Sequence, residues 1–369
     1  MKATKRIVDL ISDTATQPTD IMFDVMKMAS RGDDVYGEDE SVNELERYVA
    51  NLLGHESAIF GSSGTMTNQL GLRTLLFQPP HSVLCDARSH IYLHECGGLS
   101  YHSQASAIPV IPKNGRYLTL EDISPNILTF NIHHAVTKVI ALENTLNGMI
   151  MPLEEIKRIS QFAKENNIKM HLDGARLWNA SQETGIPMSE YGKYFDTVSV
   201  CLSKGVGAPI GSMLTSTKDN IDKARHLRKL LGGGWRQAGI LAASAKYCID
   251  NVVPTMPETH RLTRSLASHF ESLGMELHFP CETNMIFLHT AKTNIKMEDL
   301  AEVLLKEDGI RISPEPGKTC RIVLHYQVTE EDIEKVKVAA TKLTEEIRKN
   351  NDNGIETSQN GEETAFYPK

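Results

Sequence analysis

From about residue 55 to 215 the chain repeats one device, a short apolar run followed by a stretch with helical spacing. The runs are "SAIF", "SVLCD", "KVIALEN", "IKMHLDG", "TVSVCLS" and "GSMLTS", and the amphipathic segment "PLEEIKRISQFAKENN" lies between two of them. A strand that is apolar on both faces needs a cover on each side, and parallel neighbours need a crossover between them. Such runs separated by helices therefore predict a mostly parallel sheet clad with helices, and the class is α/β.

A second pattern follows. "TKDNIDKARHLRKLL" predicts a basic amphipathic helix stopped by Gly232, Gly233 and Gly234, and a long helical region continues to about residue 274. Then "MELHF", "NMIFLHT", "IRIS" and "CRIVLHY" read as short strands, with helical "MEDLAEVLLKEDG" between the second and third and "EEDIEKVKVAATKLTEEIRKN" after the last. At 369 residues the chain is long enough for two domains. The expected division is an N-terminal arm and large α/β domain over 1–250, a small C-terminal α+β domain over 251–349, and a polar, aperiodic tail over 350–369 expected to be disordered.

Several function classes are disfavoured. The formal net charge is −8 and the basic residues are spread along the chain, so no nucleic-acid surface is expected. No window approaches about eighteen uninterrupted apolar residues, and the start "MKATKRIVDLISDT" lacks a signal-peptide core, so no membrane association and a cytoplasmic location are expected. The six cysteines form no C-x-x-C pair; Cys85, Cys201 and Cys320 lie in or beside apolar runs and are expected to be reduced core thiols. No metal is expected, since there is no H-E-x-x-H or clustered His/Asp set, and His133 and His134 read as loop surface. Neither a nucleotide P-loop nor a dinucleotide fingerprint is present.

Chemistry enters at "DTVSVCLSKGVGAPIGS", residues 196–212, where an apolar strand ends on Lys204. Alone, a lysine followed by Gly205 and Gly207 is an ordinary solvated turn. Its companions change that reading. "IKMHLDGAR" ends a strand on Asp173, thirty-one positions earlier (204 − 173), one strand–helix–strand unit away. "AIFGSSGTMTN" ends another on a Gly/Ser loop that opens a helix at Thr65 or just after. Ligands of parallel sheets gather at the carboxyl ends of the strands, and a helix N-terminus favours an anion. One rim thus carries an amine, a carboxylate and a phosphate cradle, the three groups that pyridoxal phosphate (PLP) needs for its Schiff base, its ring nitrogen and its phosphate.

"SDTATQPT", "DDVYGEDESVNELE", "FGSSGTMTNQL", "LENTLNGMIMPLEE", "HLDGARLWNA", "CLSKGVGAPIGS", "RKLLGGGWRQAGILAA" and "RIVLHYQV" run in order from residue 9 to about 345. Together they resemble the L-threonine aldolases of PLP fold type I, the low-specificity fungal form above all. The resemblance implies that Lys204 carries the Schiff base, that Asp173 pairs with the pyridine nitrogen, and that Gly64 and Thr65, with Ser63 nearby, hold the phosphate. It makes His90 the residue stacked on the ring, and Lys229 and Arg236 groups that reach the phosphate of a neighbouring subunit's cofactor. It assigns Ser12, Arg176 and Arg321 to the substrate carboxylate, and it implies a homo-oligomer, usually a tetramer built from dimers.

Two positions depart from the family pattern: Ile11 stands before Ser12 where arginine is frequent, and Leu146 stands where many bacterial members have histidine. The implied reaction is retro-aldol cleavage of a β-hydroxy amino acid to glycine and acetaldehyde. His90 is the candidate base for the β-hydroxyl, with Lys204 as an alternative for returning the Cα proton. Another PLP lyase on the same scaffold, a β-eliminating lyase or a phenylserine aldolase, is the nearest alternative, and a non-catalytic scaffold is the alternative from a different class.

Overall fold

The computed structural model describes residues 7–293, 295–315 and 319–352; the expected tail from 353 on lies outside them. Along the chain the strands are β1 (Val8–Asp9), β2 (Ser57–Gly61), β3 (His81–Asp86), β4 (Ala105–Val110), β5 (Val136–Glu143), β6 (Lys169–Asp173), β7 (Thr197–Cys201), β8 (Ser212–Ser216), β9 (Glu276–Leu277), β10 (Met285–His289), β11 (Ile310–Arg311), β12 (Ser313–Glu315) and β13 (Thr319–Val323). The chain divides by contact into Gln17–Pro254 and a second unit made of the residues up to Thr16 with those from Thr255 on.

In the unit Gln17–Pro254 one sheet runs β2–β8–β7–β6–β5–β3–β4. Its pairs from β7 through β4 are parallel, whereas β8 is antiparallel to both β7 and β2. All six apolar runs are strands of this sheet. β4 is a strand that the apolar runs did not reveal. Only its end residues Ala105 and Val110 are buried, and it contains Pro109, which a sheet edge tolerates because β4 pairs with β3 alone.

The helix Gly64–Leu75 lies on this sheet and is buried nearly all round. It puts Leu70 into a cluster with Ile59 and Leu214, and Leu72 and Leu75 into another with Val83 and Val139. Each such side chain contributes roughly 1.5–3 kcal/mol by leaving water. Gly71 sets the closeness of the approach: a Cβ there would meet Leu214 Cδ1 at 2.9 Å and His171 Cε1 at 3.0 Å. The expected helices at "PLEEIKRISQFAKENN" and "TKDNIDKARHLRKLL" span Leu153–Glu165 and Lys218–Leu230.

In the other unit β12–β13–β10–β9 form an antiparallel sheet, and β1 pairs in parallel with β11. Its core joins Leu10, Leu266, Phe270, Ile286, Ile322 and Val336, so the helices Met256–Ser272 and Glu330–Asp352 close over one face. The last helix extends to Asp352, into the segment expected to be disordered. Cys85, Cys201, Cys248 and Cys320 are buried free thiols, and burial pushes the Cys85 thiol up to about 11 and that of Cys248 up to about 12. Among the described residues no helix is long and apolar enough to cross a membrane.

Candidate active site

The parallel register brings the strand ends β5, β6 and β7 into one row, with Glu143 beside Asp173 and Asp173 beside Ser199. Asp173 is 3% exposed. Its Oδ1 accepts the Ala175 N–H at 3.0 Å and its Oδ2 accepts Asn68 Nδ2 at 2.7 Å, so the carboxylate is fixed in direction.

Lys204 follows β7 in a tight loop. Leu202 and Ser203 both donate to the Gly211 carbonyl, and the Gly207 N–H donates to the Lys204 carbonyl. The segment after Asp173 is tied to the same place, because Trp178 Nε1 donates to the Cys201 carbonyl at 2.9 Å. Lys204 is half-buried, and among the described residues its ammonium has no hydrogen-bond or ion-pair partner. A basic group so placed is unusual for structure alone.

Ser63 caps the helix Gly64–Leu75, its hydroxyl accepting the Met66 N–H. The N–H groups of Gly64 and Thr65, ahead of Met66 in the first turn, have no intrahelical acceptor. Glycine at position 64 allows a close approach, since a Cβ there would lie 2.7 Å from Cys201 Sγ. These are the features of an anion cradle at the positive end of a helix.

His90 opens the short helix His90–Leu93, and its backbone N–H donates to Glu143 Oε2 at 2.8 Å. Its ring Nδ1 lies 2.8 Å from Glu95 Oε1, an oxygen that Asn68 Nδ2 also reaches at 2.9 Å, while Gln69 Nε2 donates to Glu95 Oε2. With the carboxylate accepting, Nδ1 is the donor, so that in the neutral imidazole Nε2 is the nitrogen with the lone pair. His90, Glu95 and Asp173 each place one donor atom within 4.8 Å of the others. Behind them His171 is held between Thr197 Oγ1 at 2.8 Å and Asn68 Oδ1 at 3.2 Å, and burial lowers its pKa to about 4, which makes it a neutral imidazole. Glu143 is raised well above the ordinary carboxyl value, first by burial and then by the Asp173 charge; Lys204 acts in the opposite direction.

The remaining expected residues are distributed as follows. Arg176, half-buried, precedes the helix Leu177–Thr184. Lys229 is exposed in the last turn of Lys218–Leu230, with no hydrogen-bond or ion-pair partner among the described residues. Arg236 is exposed, paired to Asp33 at 2.8 Å and lying over the Tyr36 ring. In the other unit Arg321 Nη2 lies 3.5 Å from the Ile11 carbonyl, next to Ser12, whose hydroxyl accepts from Thr14. Leu146 is buried.

Glu143, Glu95, Asn68 and His171 were not among the expected site residues. Glu143 could have been found, because "KVIALEN" ends an apolar strand on a carboxylate just as "IKMHLDG" does. Asn68 and Gln69 carry no local signal, since their partners come from distant segments of the chain.

A half-buried amine with no hydrogen-bond or ion-pair partner among the described residues, a fixed carboxylate, a helix N-terminus and an imidazole fit the donor set of PLP. On this mostly parallel sheet they define the fold class of PLP-dependent enzymes called fold type I. The chain belongs to the beta-eliminating lyase family, whose profile matches residues 9–293. It is 45% identical over 345 residues to the low-specificity L-threonine aldolase of Eremothecium gossypii, covering 93% of this chain and 89% of the relative. It is 44% identical over 337 residues to the low specificity L-threonine aldolase of Saccharomyces cerevisiae, covering 90% of this chain and 86% of the relative. Among solved structures the threonine aldolase of Leishmania major has the same fold, with a TM-score of 0.78 at 21% identity over 91% of this chain and 99% of that one.

Proposed function

We propose that the chain is a low-specificity L-threonine aldolase, cleaving L-threonine and L-allo-threonine to glycine and acetaldehyde with PLP attached to Lys204. The observation that carries this reading is the Lys204 amine, unpartnered among the described residues, in the loop after β7 and one strand over from the anchored carboxylate of Asp173. Relatives about 45% identical over most of the chain, named as low-specificity L-threonine aldolases, support the reaction class.

When bound, the cofactor supplies an electron sink for the pair released as the Cα–Cβ bond breaks. Lys204 would tether it, and Asp173 would hold a proton on its ring nitrogen. The Gly64 and Thr65 N–H groups, with Ser63, would receive its phosphate. Arg176 is assigned to the substrate carboxylate, and Ser12 and Arg321 keep the same role. His90, with Nδ1–H on Glu95, would accept the β-hydroxyl proton at Nε2. The bond then breaks, the aldehyde leaves, and a proton returned by His90 or Lys204 to Cα completes glycine. Lys229 and Arg236 would serve the phosphate of a neighbouring subunit in a homotetramer. We place the enzyme in the cytoplasm, in threonine catabolism and glycine biosynthesis.

The test is product analysis with purified protein and added PLP. Glycine and acetaldehyde in equal amounts from threonine and allo-threonine support the reading. Pyruvate and ammonia would make the protein a β-eliminating lyase instead, and turnover confined to phenylserine would make it a phenylserine aldolase.

A further inference from the structure

The helix whose N-terminus forms the anion cradle carries Asn68 four positions after Gly64, 1% exposed. Its amide uses both hydrogens on carboxylates, one on Glu95 Oε1 at 2.9 Å and one on Asp173 Oδ2 at 2.7 Å. Its oxygen accepts from His171 Nε2 at 3.2 Å. That leaves His171 Nδ1 to accept the Thr197 hydroxyl at 2.8 Å. The orientation of the amide is therefore determined. Turned over, it would set an oxygen against two carboxylates and leave His171 Nε2 without an acceptor.

Two carboxylates held this close in a low-dielectric site repel, and without an intervening donor such a pair takes up a proton between its members. A single NH2 group between them, one hydrogen to each, offsets part of that repulsion. The charged and titratable groups facing the pair are Glu143 from β5, His171 from β6, Lys204 beyond β7 and His90 on its short helix. None of them donates to both oxygens that Asn68 reaches.

We propose that Asn68 is a positioning residue whose amide joins the carboxylate meant for the cofactor's ring nitrogen, Asp173, to the carboxylate that orients His90, Glu95, so that the two are held as one unit. Ring-nitrogen protonation and the orientation of the His90 proton acceptor are then linked through a side chain that touches neither cofactor nor substrate. This inference rests on the aldolase reading above. It extends that reading by naming what couples the cofactor's electronic state to the base.

The experiment uses holoenzyme reconstituted with PLP carrying a nitrogen label in the ring, read by nitrogen NMR alongside steady-state kinetics. Asn68→Leu should move the ring signal toward the unprotonated form. It should also lower kcat roughly tenfold or more, the scale of a lost hydrogen bond to a charged group, with little change in KM. Glu95→Gln, which leaves Asp173 and Asn68 in place but removes a carboxylate from the linked pair, should move the ring signal the same way, because less negative charge then disfavours the protonated ring nitrogen. Gln69→Met, which takes one hydrogen bond from Glu95 and leaves both carboxylates and Asn68 in place, should lower kcat with the ring signal in its wild-type position. A ring signal in Glu95→Gln identical to wild type would overturn the coupling, whatever happens to activity and whether or not Asn68→Leu folds. Lower melting temperature in Asn68→Leu with an unmoved ring signal would reduce Asn68 to a structural role. A wild-type protein that shows no lysine-bound cofactor overturns the aldolase reading itself, and is told apart because no ring signal appears at all.

Discussion

Glu143 and Asp173 stand side by side at the carboxyl ends of β5 and β6, two carboxyl groups in register at one end of the sheet. Asn68 and the Ala175 N–H hold Asp173, while Glu143 accepts the His90 N–H. Burial and the charge of its neighbour raise Glu143 above its ordinary value of 4.5. Asp173 is thus fixed in direction by two donors, whereas Glu143, pushed toward its neutral form by burial, still accepts the His90 N–H.

Glu143→Gln preserves that acceptor and the neutral state. Its kcat at neutral pH should stay within a few-fold of wild type, whereas Glu143→Ala, which frees the His90 N–H, should lose roughly tenfold. Because the folded protein binds this proton more tightly than the unfolded chain, Glu143's contribution to stability is whole below 4.5 and is lost as pH rises through the raised value. Urea midpoints should therefore fall less steeply toward alkaline pH in Glu143→Gln than in wild type. Parallel curves would refute the neutral assignment.

His171 has the opposite sign. Its ordinary value of 6.5 drops to about 4 on folding, so the unfolded chain binds the proton more readily between those limits. Stability from a neutral His171 is present above 6.5 and is lost as pH falls toward 4, on the order of 3 kcal/mol in all. His171→Gln should flatten the acid limb of the unfolding midpoint over that window. Buried Glu46, raised by desolvation, contributes the opposite slope in both proteins and cancels from the difference.

Gly64→Ala tests the cradle. The added methyl would meet Cys201 Sγ at 2.7 Å, an overlap in a packed site that should cost about 1–3 kcal/mol and weaken retention of PLP. Removing the sulfur in Gly64→Ala/Cys201→Ala should recover most of the lost melting temperature. If the double variant is no more stable than the single one, the contact is not what excludes a side chain at position 64.

The legible part of this site is what a strand end announces. Lys204 and Asp173 each close an apolar run with a charge, and a Gly/Ser loop opens a helix after another strand, so spacing and residue type point to that rim. Glu143 met the same criterion inside "KVIALEN" and was not singled out. Asn68 and His171 were not legible, since an amide inside a helix and an imidazole inside a strand acquire meaning only from partners 105 and 103 positions apart in sequence. In the fold, β4 escaped because Pro109 and its mostly exposed or half-buried middle leave no continuous apolar run at this edge strand.

The account depends above all on the amine that carries the cofactor. Borohydride reduction of the PLP-loaded protein, followed by proteolysis and peptide mass analysis, should find the pyridoxyl phosphate adduct on Lys204. Lys204→Ala should remain folded with no adduct, no visible cofactor band and no acetaldehyde. An adduct on a different lysine of the wild-type protein, with turnover surviving in Lys204→Ala, would contradict it.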